Sequence, residues 1–111
     1  MDPLQNALAE ARQRVEELTA ARAEVVSATE GSNVDDEHDP EGATIAFERE
    51  QLTALIGQAV RSVASAEAAL AARAAGTYGR CAECGGDIGA ERLVARPSAT
   101  TCVRCAAQRT R

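Results

Sequence analysis

The chain has 111 residues, enough for one domain or a very small pair, and only 2% of them are aromatic. Its formal charge is −5 and every one of its twelve basic residues is arginine, which excludes a general nucleic-acid coat protein, because that needs a basic field to meet phosphates. Much of the 45% hydrophobic share is alanine, which favours helix but buries little area, so a thick globular core is excluded and long helices with a thin seam and some other staple are expected.

The first helix has its start written at Asp2-Pro3. Asp2 can N-cap, Pro3 suits the first helical position, and Gln5 completes a capping-box pattern. Leu4, Leu8, Ala11, Val15, Leu18 and Val25 follow, with Arg22 on the same stripe. The alternating spacing of four and three is the heptad seam of a coiled coil. Gly31 reads as the stop. The loop 31–42, GSNVDDEHDPEG, then gathers Asp35, Asp36, Glu37, Asp39 and Glu41 around the only histidine, His38, with no basic residue among them. His38 reads as a solvated loop residue.

The second helix repeats the grammar, with Asp39 as N-cap and Pro40 as first helical residue. Its stripe is Ile45, Leu52, Ile56, Ala59, Val63, Ala66 and Leu70, with Arg49 on the same line, and Gly76 reads as its stop. Roughly 35 residues at about 1.5 Å each span about 50 Å. In an antiparallel hairpin, facing residues have numbers with a nearly constant total. Val25 with Ile45, Leu18 with Leu52, Val15 with Ile56, Ala11 with Ala59, Leu8 with Val63 and Leu4 with Ala66 all total 70 or 71. The symmetry point falls near residue 35, inside the acidic loop. Residues 1–76 are therefore expected to form an antiparallel coiled-coil hairpin with the loop 31–42 at its tip. Arg22 and Arg49 would face each other, and are expected to snorkel outward to acids such as Glu24, Glu48 or Glu50. Leu70 and Ala74 run past the first helix and are expected to pack on the C-terminal segment. A monomer is expected, and a homodimer that pairs the same stripes between chains is the alternative.

The start, MDPLQNALAEARQR, lacks the basic and apolar regions of a signal peptide, and no run approaches the ~20 apolar residues of a membrane span. A cytoplasmic location is expected, with no membrane partner. Four cysteines there stay reduced and point to metal rather than disulfides.

The cysteines stand in CAECGGDIGAERLVARPSATTCVRC, residues 81–105. Two C-x-x-C knuckles, Cys81 with Cys84 and Cys102 with Cys105, are separated by seventeen residues. Each knuckle points two sulfurs at one ion, and together they complete a tetrahedron, so one structural Zn²⁺ is expected. Gly85 and Gly86 permit the positive φ that aims backbone N–H groups at sulfur. Four cysteines close the coordination shell, a redox C-x-x-C would want a βαβ context, and no nucleophile–base pair is legible, so no enzyme is expected. Residues 77–111 are expected to be a small zinc finger, with Tyr78, Ile88, Leu93 and Val94 as its core and a helix after Cys102. The segment also carries six arginines against three acids, while residues 1–76 carry six against fourteen, an asymmetry that suggests an oriented partner.

GTYGRCAECGGDIGAERLVARPSATTCVRC resembles the four-cysteine zinc finger of the DksA/TraR family of bacterial RNA polymerase regulators. The likeness rests on the G-T-Y-G lead-in, the C-x-x-C-G knuckle, the I-x-x-E-R-L stretch and the A-R-P-x-A-T-x-C-x-x-C ending. The acidic-tipped hairpin extends it over nearly the whole length. The resemblance implies a zinc-binding transcription regulator that docks on RNA polymerase and inserts its coiled-coil tip into the secondary channel, with no direct sequence-specific DNA binding. It implies that Asp36 and Asp39 approach the polymerase active centre, supported by Asp35, Glu37 and Glu41, where Glu41 replaces the alanine of the family's D-x-x-D-x-A tip. The alternative is an interaction module of zinc finger and coiled coil that engages a different protein.

Overall fold

The computed structural model describes residues 2–30 and 40–109. Four helices follow one another: α1 (Pro3–Glu30), α2 (Pro40–Ala74), α3 (Ala90–Ala95) and α4 (Val103–Arg109). Among the described residues there is no strand, only an isolated antiparallel bridge between Arg80 and Asp87. The fold is thus mostly α, an antiparallel helical hairpin followed by a small four-cysteine finger. Asp35, Asp36, Glu37, His38 and Asp39, and the side chain of Glu41, lie outside the described residues.

Both helix ends that the sequence marks near residues 2 and 76 form as expected. The Gln5 N–H donates to the Asp2 carboxylate at 3.2 Å and the Asn6 N–H to the Asp2 carbonyl at 2.9 Å, so Asp2 caps α1. At the end of α2, Gly76 takes φ 80°. The Thr77 N–H reaches back to the Ala72 carbonyl at 2.8 Å and the Gly76 N–H to Arg73 at 3.1 Å. These two bonds make a Schellman motif, which needs a residue in the left-handed region at its turn.

Every predicted stripe position outside the two arginines is withdrawn from water. Leu4, Ala11, Ala59 and Ala66 are buried, and Leu8, Val15, Leu18, Val25, Ile45, Leu52, Ile56, Val63 and Leu70 are half-buried. Partial burial is what a two-helix seam allows, since each helix has one neighbour and its other sides face solvent.

Contacts cluster the chain into two compact units, Arg12–Val60 and Met1–Ala11 with Arg61–Arg111. Within the first, Arg22 does not turn to an acid as expected. Its Nε donates to the Thr53 hydroxyl at 2.8 Å, and that hydroxyl donates to the Arg49 carbonyl at 2.9 Å. Helical side chains lean toward their own N-terminus. Arg22 therefore reaches about one turn beyond the residue it faces and finds a neutral acceptor there. Arg49 stays exposed.

Within the second unit, Arg73 donates to the Asp2 carboxylate at 2.7 Å. The hydrogen bond from Arg73 holds the Asp2 carboxyl below its ordinary value. A depressed carboxylate contributes stability above its unfolded pKa, and loses it as pH falls through the folded one. Asparagine still caps a helix but cannot pair with arginine. Asp2→Asn is expected to lower the thermal midpoint slightly and Asp2→Ala further. The gap between wild type and Asp2→Asn closes in strong acid and in high salt, as thermal melts at several pH values and ionic strengths will show.

Beyond the reach of α1, α2 turns Ala68, Ala69 and Ala72 toward the finger, and Ala69 is buried. Ala74, expected to pack there, is exposed. It lies at the last position of α2, where the chain already turns away through Gly76.

Candidate metal centre

The first knuckle is a tight turn. The Cys81 N–H donates to the Gly86 carbonyl at 2.7 Å, and the Gly85 N–H returns to the Cys81 carbonyl at 3.0 Å. Gly85 takes φ 74° while Gly86 does not need positive φ, so only the first of the two glycines bends the chain as expected. Gly86 serves differently. Its N–H points at the Cys84 sulfur at 3.4 Å, and a Cβ added there would stand 3.5 Å from that sulfur.

The second knuckle opens α4. The Cys105 N–H donates to the Cys102 sulfur at 3.5 Å, and the Ala106 N–H to the Cys102 carbonyl at 2.9 Å. Two bonds join the knuckles: Ala82 N–H to the Thr100 carbonyl at 2.8 Å, and Cys102 N–H to the Cys81 sulfur at 3.4 Å. An ion pair of 2.7 Å between Arg109 and Glu83 ties the end of α4 to the first knuckle.

All four sulfurs lie within 4.8 Å of one another, and the Cys84 and Cys102 sulfurs are 3.9 Å apart. A tetrahedral ion with bonds of about 2.3 Å separates its sulfurs by about 3.8 Å. A small contraction around a cation thus satisfies the geometry. Cys81, Cys102 and Cys105 are buried and Cys84 is exposed. The backbone N–H of Cys84, with that of Cys102, pulls the Cys81 thiol down to about 6. The Cys105 N–H likewise lowers Cys102. The neighbouring Cys102 sulfur and burial push Cys105 up to about 12. Without a metal the cluster therefore sets two thiols that lose a proton readily, Cys81 and Cys102, beside one that holds it, Cys105. A divalent cation removes that conflict by taking all four as thiolates.

Around the sulfurs the core is Ile88, with Leu93 and Ala99 packed against it. Tyr78 and Val94 correct the expected core. Val94 is 84% exposed, because in the six-residue α3 Leu93 takes the inward face. Tyr78 lies at the surface and is held by its hydroxyl, which donates to the Pro97 carbonyl at 2.8 Å. Two features escape sequence reasoning. α3 itself has a Gly89 start with no side-chain cap, and Arg92 crosses to donate to the carbonyl of buried Thr101 at 2.8 Å. No local signal marks either, since both depend on the second knuckle being in place.

Residues 76–111 match the family model described as the prokaryotic DksA/TraR C4-type zinc finger. The finger is thus of the DksA/TraR C4 type, and its cofactor is zinc. Among curated proteins none matches significantly. Among solved structures, the chain is similar to the transcription factor DksA2 from Pseudomonas aeruginosa, with a TM-score of 0.71 and 23% identity, over 96% of this chain and 77% of that one. At that identity the likeness is one of fold.

Proposed function

We propose that this protein is a transcription regulator that binds bacterial RNA polymerase and inserts the tip of its hairpin into the secondary channel. The observation that carries the reading is the combination of a DksA/TraR-type finger with an antiparallel helical hairpin similar in fold to DksA2 over nearly the whole chain. Cys81, Cys84, Cys102 and Cys105 are its zinc ligands, and the finger, residues 77–111, is the anchor. The hairpin, residues 1–76, is the probe. Asp36 and Asp39 act at the polymerase active centre, with Asp35, Glu37 and Glu41 adding to the negative field that draws the tip toward basic groups and metal. The protein works in the cytoplasm as a binding protein without turnover of its own. No helix among the described residues is long and apolar enough to cross a membrane.

The test is retention of RNA polymerase by the immobilised protein, followed by transcription assays at sensitive promoters. Wild type is expected to retain polymerase and alter initiation. Asp36→Asn with Asp39→Asn is expected to bind equally and have no transcriptional effect. Asparagine is as good an N-cap as aspartate, so this variant removes charge without removing a capping side chain. Failure to retain polymerase, or recovery of a different complex instead, overturns the reading, and a fully active double variant overturns the tip mechanism.

A further inference from the structure

Beside the metal centre, between the end of α2 and the finger, lies a cleft of about 280 Å³. All the residues that line it belong to one compact unit, the one that contains Arg61–Arg111. Its apolar wall is Ala68, Ala69, Ala72 and Ala99 with Ile88. Side chains that short leave a concave apolar surface facing water, which the body of a ligand can cover.

The polar side chains in the cleft differ in what they have left to offer. The Thr77 hydroxyl donates to the Ala72 carbonyl at 3.3 Å, and the Tyr78 hydroxyl to the Pro97 carbonyl at 2.8 Å. The Thr100 hydroxyl has no such partner among the described residues. Nor does the guanidinium of exposed Arg80, which makes no ion pair there even with Asp87, its mate in the isolated bridge. The cleft thus combines an uncovered apolar wall, an unpaired cation and an unused hydroxyl. The finger around it carries six arginines against three acids, a field that favours an anion.

We infer that this cleft binds a small organic acid, a single carboxylate on an aromatic or short aliphatic body. Arg80 takes the carboxylate through parallel N–H bonds, Thr100 offers it a further donor, and the body lies on the alanine wall. The volume falls just below the range of about 300–1,000 Å³ of drug-sized pockets, so the body is one ring or a short chain. An ion pair at an exposed arginine contributes at most about 1 kcal/mol, so neither the charge nor the body suffices alone. The inference does not rest on polymerase binding.

Benzoate titrated into the isotope-labelled, zinc-loaded full chain, followed by amide chemical shifts, tests this. Saturable shifts are expected at the amides of Ala69, Ala72 and Thr100, with a dissociation constant on the order of a millimolar. Acetate, which lacks the body, is expected not to saturate. Benzyl alcohol, which lacks the charge, and the exposed Arg80→Gln variant should each weaken binding about fivefold. Ala72→Leu exchanges one good helix former for another and fills the hollow. It should abolish the benzoate shifts while zinc stays bound. The absence of saturable shifts in wild type overturns the inference, and so do shifts scattered away from the cleft or an Arg80→Gln variant that binds benzoate as well as wild type. If benzoate does not bind and Arg80→Gln instead weakens RNA polymerase retention, the cleft serves the polymerase, and the inference is likewise overturned while the functional reading stands.

Discussion

Stripping the zinc will unfold the finger and leave the long helices standing. The buried cluster of the finger is Cys81, Ile88, Cys102 and Cys105, with Leu93 and Ala99 against it. Three of those four buried residues are thiols, so without an ion there is little apolar area to hold the segment together. Binding of a structural zinc ion supplies on the order of 10–16 kcal/mol to such a site. A chelator should therefore collapse the amide dispersion of the finger in an NMR spectrum. Helical circular dichroism should fall only modestly, because α3 and α4 hold 6 and 7 residues against 28 and 35 in α1 and α2. Cys102→Ser should do the same without a chelator. It removes a ligand whose sulfur also accepts the Cys105 N–H and lies 3.9 Å from Cys84. Acid should release the ion as well. The ligands bind as thiolates, and Cys105, pushed up to about 12, must release its proton to solvent as the metal takes its place, so retention weakens as pH falls. A chelated protein that keeps the dispersion of its finger amides would show that zinc is not the staple.

The parts legible in the sequence are those written in local periodicity or in ligand spacing. The stripe from Leu4 to Val25 and from Ile45 to Leu70 turns inward because a seam of two helices has a single repeating pattern and a single neighbour. The Schellman stop at Gly76 is likewise local, as it needs one residue at positive φ in a fixed place. The paired C-x-x-C knuckles converge because zinc tolerates few other arrangements. Where contacts are tertiary, the reading fails. Val94 looks like core by type, but α3 is too short to bury two adjacent residues and chooses Leu93. Arg22 looks destined for an acid, yet the hydroxyl of Thr53 is nearer to where its side chain leans. Ala74 looks like a continuation of the stripe, but the finger is met by Ala68, Ala69 and Ala72.

A core swap tests the register on which the position of the tip depends. Leu4 and Ala66 are 2% and 1% exposed, and the register read from the sequence sets them opposite each other. Leu4→Ala removes a large side chain from a covered site and is expected to cost about 2–5 kcal/mol, toward the lower end in a seam only two helices deep. Ala66→Leu inserts a branched chain where a methyl group fits and is expected to cost about 1–3 kcal/mol. If the two positions share one packing volume, the double variant returns the large residue to the same space from the other helix. Its cost will then be smaller than the sum of the singles, a coupling that distant sites do not show. Chemical denaturation of the four proteins, all zinc-loaded, measures it. Additive costs would mean that Leu4 faces some other residue, and every pair along the seam would then shift with it. The symmetry point read from the sequence would move away from residue 35, and the proposal that Asp36 acts at the tip would fall with it.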